Sequence, residues 1–170
     1  MASLMDDLVR VLEDENEEYG KLVELSKEKK QVIIDANVPA LEKIVDLEQD
    51  VASKIQNLDN RRQKVMRDMS VVLNKPGDDF TLDTIIETLS SQPKEQERLQ
   101  NVKQQLKTTL AEVRKINEQN QTLLNQALEL VEFDLTLFRS MRTAPETANY
   151  NKNAYNTGEI LGGGGFDAKQ

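Results

Sequence analysis

Cysteine, histidine and tryptophan are absent from this chain of 170 residues, and each absence removes a class of chemistry. Without cysteine there is no disulfide framework, no thiolate nucleophile and no thiolate zinc ligand, and the reducing cytoplasm is the simplest compartment. Without histidine the usual general base and the usual imidazole metal ligand are gone. Aromatic residues make up only 4%, and glycine and proline number seven and four, four of the glycines standing together at 162–165. That composition deprives a β-sandwich or barrel of its usual residues and leaves long helices uninterrupted.

A basic surplus is missing as well. Lys and Arg number 22 against 30 Asp and Glu, for a net charge of -8. A phosphate backbone needs clustered cations, so nucleic acid is excluded as a partner. The one basic group, Arg61, Arg62, Lys64 and Arg67, is diluted by Asp59 and Asp68. No run approaches the roughly 18 to 20 apolar residues of a membrane span, and residues 1–9 lack the pattern of a signal peptide. We therefore expect a soluble cytoplasmic protein with no membrane insertion.

Carboxylates alone remain for catalysis. Glu13, Asp14, Glu15, Glu17 and Glu18 form an acidic run, but successive positions point around a helix rather than at one spot, so a solvated face is expected. Asp78 and Asp79 lack the alternating ligands of a calcium loop, and the glycine run follows no strand and precedes no helix, as a phosphate cradle would require. No catalytic residue, metal site or cofactor is expected.

What the chain has is apolar residues at helical spacing, alongside 31% charged residues. Ser3 followed by Asp6 reads as a cap, and Leu4, Leu8, Val11, Leu12, Tyr19, Leu22, Leu25, Val32 and Ile33 carry a helix over about 3–35. After a break at Asp35, Ala36 and Asn37, Pro39 fits a first turn. Leu41, Ile44, Val51, Ile55, Leu58, Val65, Met69 and Val72 then hold a seven-residue repeat to about Asn74. Residues 75–79 make a turn. Thr81 caps a short helix with Leu82, Ile85, Ile86 and Leu89, and Pro93 opens a helix running to Met141. Short connections make neighbours antiparallel. The expected fold is all-α, an elongated antiparallel bundle or coiled coil of three long helices and one short one over residues 1–142, followed by a flexible Gly/Asn-rich tail over 143–170.

The last long helix changes character midway. Leu99, Val102, Leu106, Leu110 and Val113 form one buried stripe. Asn117 and Asn120 then stand where apolar residues belong, either hydrogen-bonding across the bundle to fix its register or softening the core. Beyond them Leu123, Leu124, Leu128, Leu130, Val131, Phe133, Leu135, Leu137 and Phe138 supply more apolar surface than one stripe holds. A homodimer or the short helix is one cover for it. A partner's amphipathic helix is the other, anchored on Leu124, Leu128, Val131, Leu135 and Phe138. In the tail, Tyr150 and Tyr155 suggest a linear docking element.

The N-terminal heptads, the Arg61-Arg62 pair, the segment NEQNQTLL at 117–124 and the tail with YNTG at 155–158 and DAK at 167–169 together resemble the FlgN family of flagellar export chaperones. The resemblance implies a chaperone that binds the C-terminal helical segments of the hook-filament junction proteins FlgK and FlgL through its own C-terminal third. It also implies docking on the flagellar export gate, for which Tyr150 and Tyr155 are the candidates by position. The glycine-rich tail departs from the family's pattern. A structural coiled-coil tether or scaffold without export clients is the alternative.

Overall fold

The structure is a computed structural model and describes residues 2–75 and 80–143. Among these residues every regular element is helical: α1 is Ala2–Ile34, α2 Val38–Val72, α3 Leu82–Thr88, followed by a 3₁₀ turn Leu89–Ser91, and α4 is Pro93–Thr143. The chain divides into two compact units, Met1–Leu124 and Asn125–Gln170. The all-α bundle of long packed helices expected from the periodicity is the observed fold.

The first unit is built on a hairpin of α1 and α2. Two ion pairs set its register: Lys29 Nζ lies 2.8 Å from Glu48 Oε2, and Arg62 Nε lies 3.3 Å from Glu15 Oε1. Partners that diverge in both directions from the same connection define antiparallel helices. α4 runs parallel to α1, because Asp6 accepts from Arg98, Asn16 accepts from Thr109, and Ser26 meets both Asn117 and Asn120. Three helices going up, down and up produce this pairing without long crossovers.

The connection between α1 and α2 follows from local chemistry. α1 closes on a Schellman arrangement, in which the Asn37 N–H donates to the Val32 carbonyl and the Ala36 N–H to the Ile33 carbonyl. That geometry places Ala36 at φ 52, a left-handed conformation that glycine occupies more cheaply. The same device ends α2, with Asn74 at φ 52 and the Lys75 N–H on the Ser70 carbonyl. Asn37 then caps α2 by accepting from the Ala40 N–H, with Pro39 in the first turn, where its missing N–H costs nothing. Thr81 caps α3 through the Thr84 N–H. Ser3 does not cap α1, because the helix already includes Ala2 and places Ser3 inside its first turn.

The main core lies where the start of α1, the end of α2, α3 and the start of α4 meet. Leu8, Leu12, Met69, Ile85 and Leu99 are fully buried there. Ile85, Ile86 and Leu89 all belong to this cluster, so the short helix caps this end of the core. Leu110 departs from the buried stripe expected of it and is 38% exposed. The turn at 76–79, with Asp78 and Asp79, and the tail beyond 143 lie outside the described residues. Among the described residues no helix is long and apolar enough to cross a membrane.

Candidate functional site

A helix packed in a bundle hides its apolar stripe, and α4 does so only in part. Leu99, Val102, Leu106 and Val113 are buried. From Leu128 to Met141 every large apolar side chain is exposed, from 50% at Leu137 to 71% at Phe138. At 100° per residue, Leu128, Val131, Leu135 and Phe138 fall within a sector of about 80°. Leu130, Phe133, Leu137 and Met141 fall within a second sector of similar width, centred about 140° from the first. Glu129, Glu132, Thr136, Arg139 and Ser140 occupy the remaining polar face. Thr136 and Ser140 donate their hydroxyls to the carbonyls one turn back, which keeps this face compatible with the helix.

Of the five expected anchors, four lie together on this exposed surface. Leu124 is separate from them: it is half-buried, belongs to the first unit, and lines a groove with Leu22, Ser26, Asn117 and Asn120. Asn120 is 3% exposed, and its amide nitrogen donates to the Ser26 carbonyl at 2.8 Å. Asn117 is exposed and accepts from the Ser26 hydroxyl at 3.2 Å. Both asparagines therefore reach the same residue of α1, a single point where a slip of α4 along α1 would break two hydrogen bonds. Tyr150 and Tyr155 lie outside the described residues.

The acidic run of α1 is not a uniformly solvated face: the Glu18 side chain is only 13% exposed, and Glu15 departs furthest. Glu13 and Glu17 face solvent, as a hydrated surface requires, but Glu15 is 2% exposed. Its Oε1 touches Arg62 Nε without forming a hydrogen bond, while another guanidinium nitrogen of Arg62 is held by Asp59. Burial pushes the Glu15 carboxyl above its ordinary value; the Arg62 charge opposes the shift and Asp59 reinforces it. The periodicity did contain this information, since Glu15 follows Leu8 and Leu12 by seven and three residues on the same face.

Among the described residues no group of three acidic side chains converges as metal ligands would. An exposed apolar helix surface of this kind marks a protein-interaction site. The family model described as FlgN protein matches residues 1–158, and the chain belongs to the FlgN family, a family of flagellar export chaperones. No curated protein and no solved structure matches the chain.

Proposed function

We propose that this chain is a cytoplasmic export chaperone that holds the C-terminal helical segments of FlgK and FlgL on the exposed end of α4 and delivers them to the flagellar export gate. The observation that carries the reading is the sector of Leu128, Val131, Leu135 and Phe138, exposed at heptad spacing. Monomeric soluble proteins seldom leave a contiguous apolar patch of this kind without a use for it. Leu124 is the inner limit of the client-binding set. Client helices that expose an apolar stripe aggregate or assemble early, and burying that stripe keeps them exportable.

Covering a large apolar side chain contributes roughly 1.5 to 3 kcal/mol, so the four exposed anchors supply on the order of 10 kcal/mol gross, much of it offset by ordering of the client. That balance permits both capture and release. Tyr150 and Tyr155 are the proposed contacts with the export gate, and residues 143–170 are proposed as a tail distinct from the helical domain of 1–142. A homodimer through the same stripe would compete with the client.

Co-purification with separately expressed C-terminal fragments of FlgK and FlgL tests the reading. The unaltered chain should retain both fragments, and Leu128→Asp with Phe138→Asp should lose them. Retention by the double variant would move the site elsewhere, and failure of the unaltered chain to bind either fragment would favour the tether.

A further inference from the structure

The charges beside the exposed stripe of α4 carry a pattern that the stripe alone does not need. Leu128, Val131, Leu135 and Phe138 stand at the a and d positions of a heptad, which puts Glu132 and Arg139 on one flank at e positions and Asp134 on the other flank at a g position. Glu132 and Arg139 are both exposed, and about 10 Å of helix keeps them from pairing with each other. One turn away each meets a like charge, Glu129 for Glu132 and Arg142 for Arg139, and no residue within a turn supplies either with an opposite one.

A second copy of the same helix supplies both. Laid antiparallel, two such stripes interleave a against d, with Leu128 of each copy on Phe138 of the other and Val131 on Leu135. Glu132 of one copy then stands about 7.5 Å along the axis from Arg139 of the other, on the same flank. Helical side chains lean toward their own N-terminus, so in opposed helices these two lean toward each other and close the gap. Two-fold symmetry makes the contact twice. A parallel pair would set Arg139 beside Asp134 but leave Glu132 beside Ala127 and bring Arg142 onto its own copy within the stripe. Its approach would also run along Leu99, Val102 and Leu106, which in each copy are already packed in the core. The second exposed sector, Leu130, Phe133, Leu137 and Met141, is flanked by Glu129 and Asp134 alone among charges, so two copies repel there. We propose that the resting occupant of the stripe from Leu128 to Phe138 is the same stripe of a second copy, antiparallel and held in register by two Glu132–Arg139 ion pairs, so that self-pairing shields the stripe until a client displaces it. The shielding role rests on the client reading above; the pairing does not. Asp134 lies beside its own copy near the axis, a like-charge contact that keeps the pair loose enough to exchange.

Sedimentation equilibrium of the full chain at about 0.15 M salt, where its net charge is screened, reads the pairing as a dimer dissociation constant. Glu132→Arg and Arg139→Glu should each weaken it at least about tenfold, because each turns both ion pairs into like-charge contacts. An equimolar mixture of the two single variants should pair again, and so should the Glu132→Arg, Arg139→Glu double variant, since both restore opposite charges across the axis. Asp134→Asn should tighten the pair. The three positions are exposed, so the helix survives these changes, with circular dichroism confirming its content. A chain that stays monomeric, single variants that pair like the unaltered chain, no recovery in the mixture, or weakening by Asp134→Asn, the sign of a parallel pair, would each overturn the proposal. The client assay reads separately: a chain that pairs in this way but retains neither fragment overturns the client reading and leaves the pairing standing, and a monomeric chain that retains both does the reverse.

Discussion

Ala36 shows how much a single backbone angle decides. The Schellman closure of α1 requires a left-handed residue, and the sequence supplies alanine, whose Cβ crowds the following carbonyl at φ 52. Glycine removes that strain but gains entropy in the unfolded chain, so Ala36→Gly is expected to stabilise the first unit by about 0.5 to 1 kcal/mol, read as a higher urea midpoint at unchanged slope. Glu15 poses the opposite problem, a charge held in a dry place. Its carboxyl is raised above 4.5 chiefly by burial, so the folded state binds that proton more tightly than the unfolded state does. The stability linked to this proton is present below the unfolded value and is lost as pH rises through the folded one. Glu15→Gln should therefore raise the urea midpoint at pH 7, and the advantage should vanish below pH 4.5. An equal gain at both pH values would mean that packing, not charge, sets the cost at this site. The break at Ala36 was legible in the sequence although no glycine marks it, whereas Glu15 was misread because it stands in a run with Glu13 and Glu17, which do face water.

The helices themselves were far more legible. Heptad repeats, Pro39, Thr81 and Pro93 placed all four of them to within a residue or two, because each boundary has a local cause that a sequence displays. Which side of α4 finds cover is a tertiary matter. Leu110 continues the stripe of Leu106 and Val113, yet it lines a cavity with Leu22 and Ile55 and stays 38% exposed. The two ends of α4 should respond differently to the same kind of change. Leu99 is fully buried in the main core, so Leu99→Ala should cost about 3 kcal/mol through lost transfer energy and a residual cavity. Leu128→Asp with Phe138→Asp, at positions 62% and 71% exposed, should shift the urea midpoint by no more than about 0.5 kcal/mol equivalent. Amide exchange should follow the same division, slow over Leu99, Val102 and Leu106 and fast from Leu128 to Phe138 in the free chain. Equal protection of both stretches would show that the late stripe is already covered.

For the molecule as a whole, apolar exposure and net charge pull against each other. Eight large apolar side chains between Leu128 and Met141 are half or more exposed, which favours association of copies through that surface. A net charge of -8 on every copy opposes it, and the repulsion reaches as far as the ionic atmosphere allows. The screening length falls from about 30 Å at 0.01 M salt to about 8 Å at 0.15 M and 3 Å at 1 M, while apolar attraction does not weaken over that range. Light scattering should accordingly give a mass near 19.3 kDa at low salt and a rising mass as salt is added. Leu128→Asp with Phe138→Asp removes two anchors and deepens the net charge, so that variant should stay near 19.3 kDa at every salt concentration. A helical client peptide added at high salt should return the unaltered chain to a one-to-one complex, because client and second copy compete for the same stripe. If added salt leaves the mass unchanged while the peptide still binds, the stripe recognises something more selective than an oily helix, and the specificity must come from the polar rim of Glu129, Glu132 and Arg139.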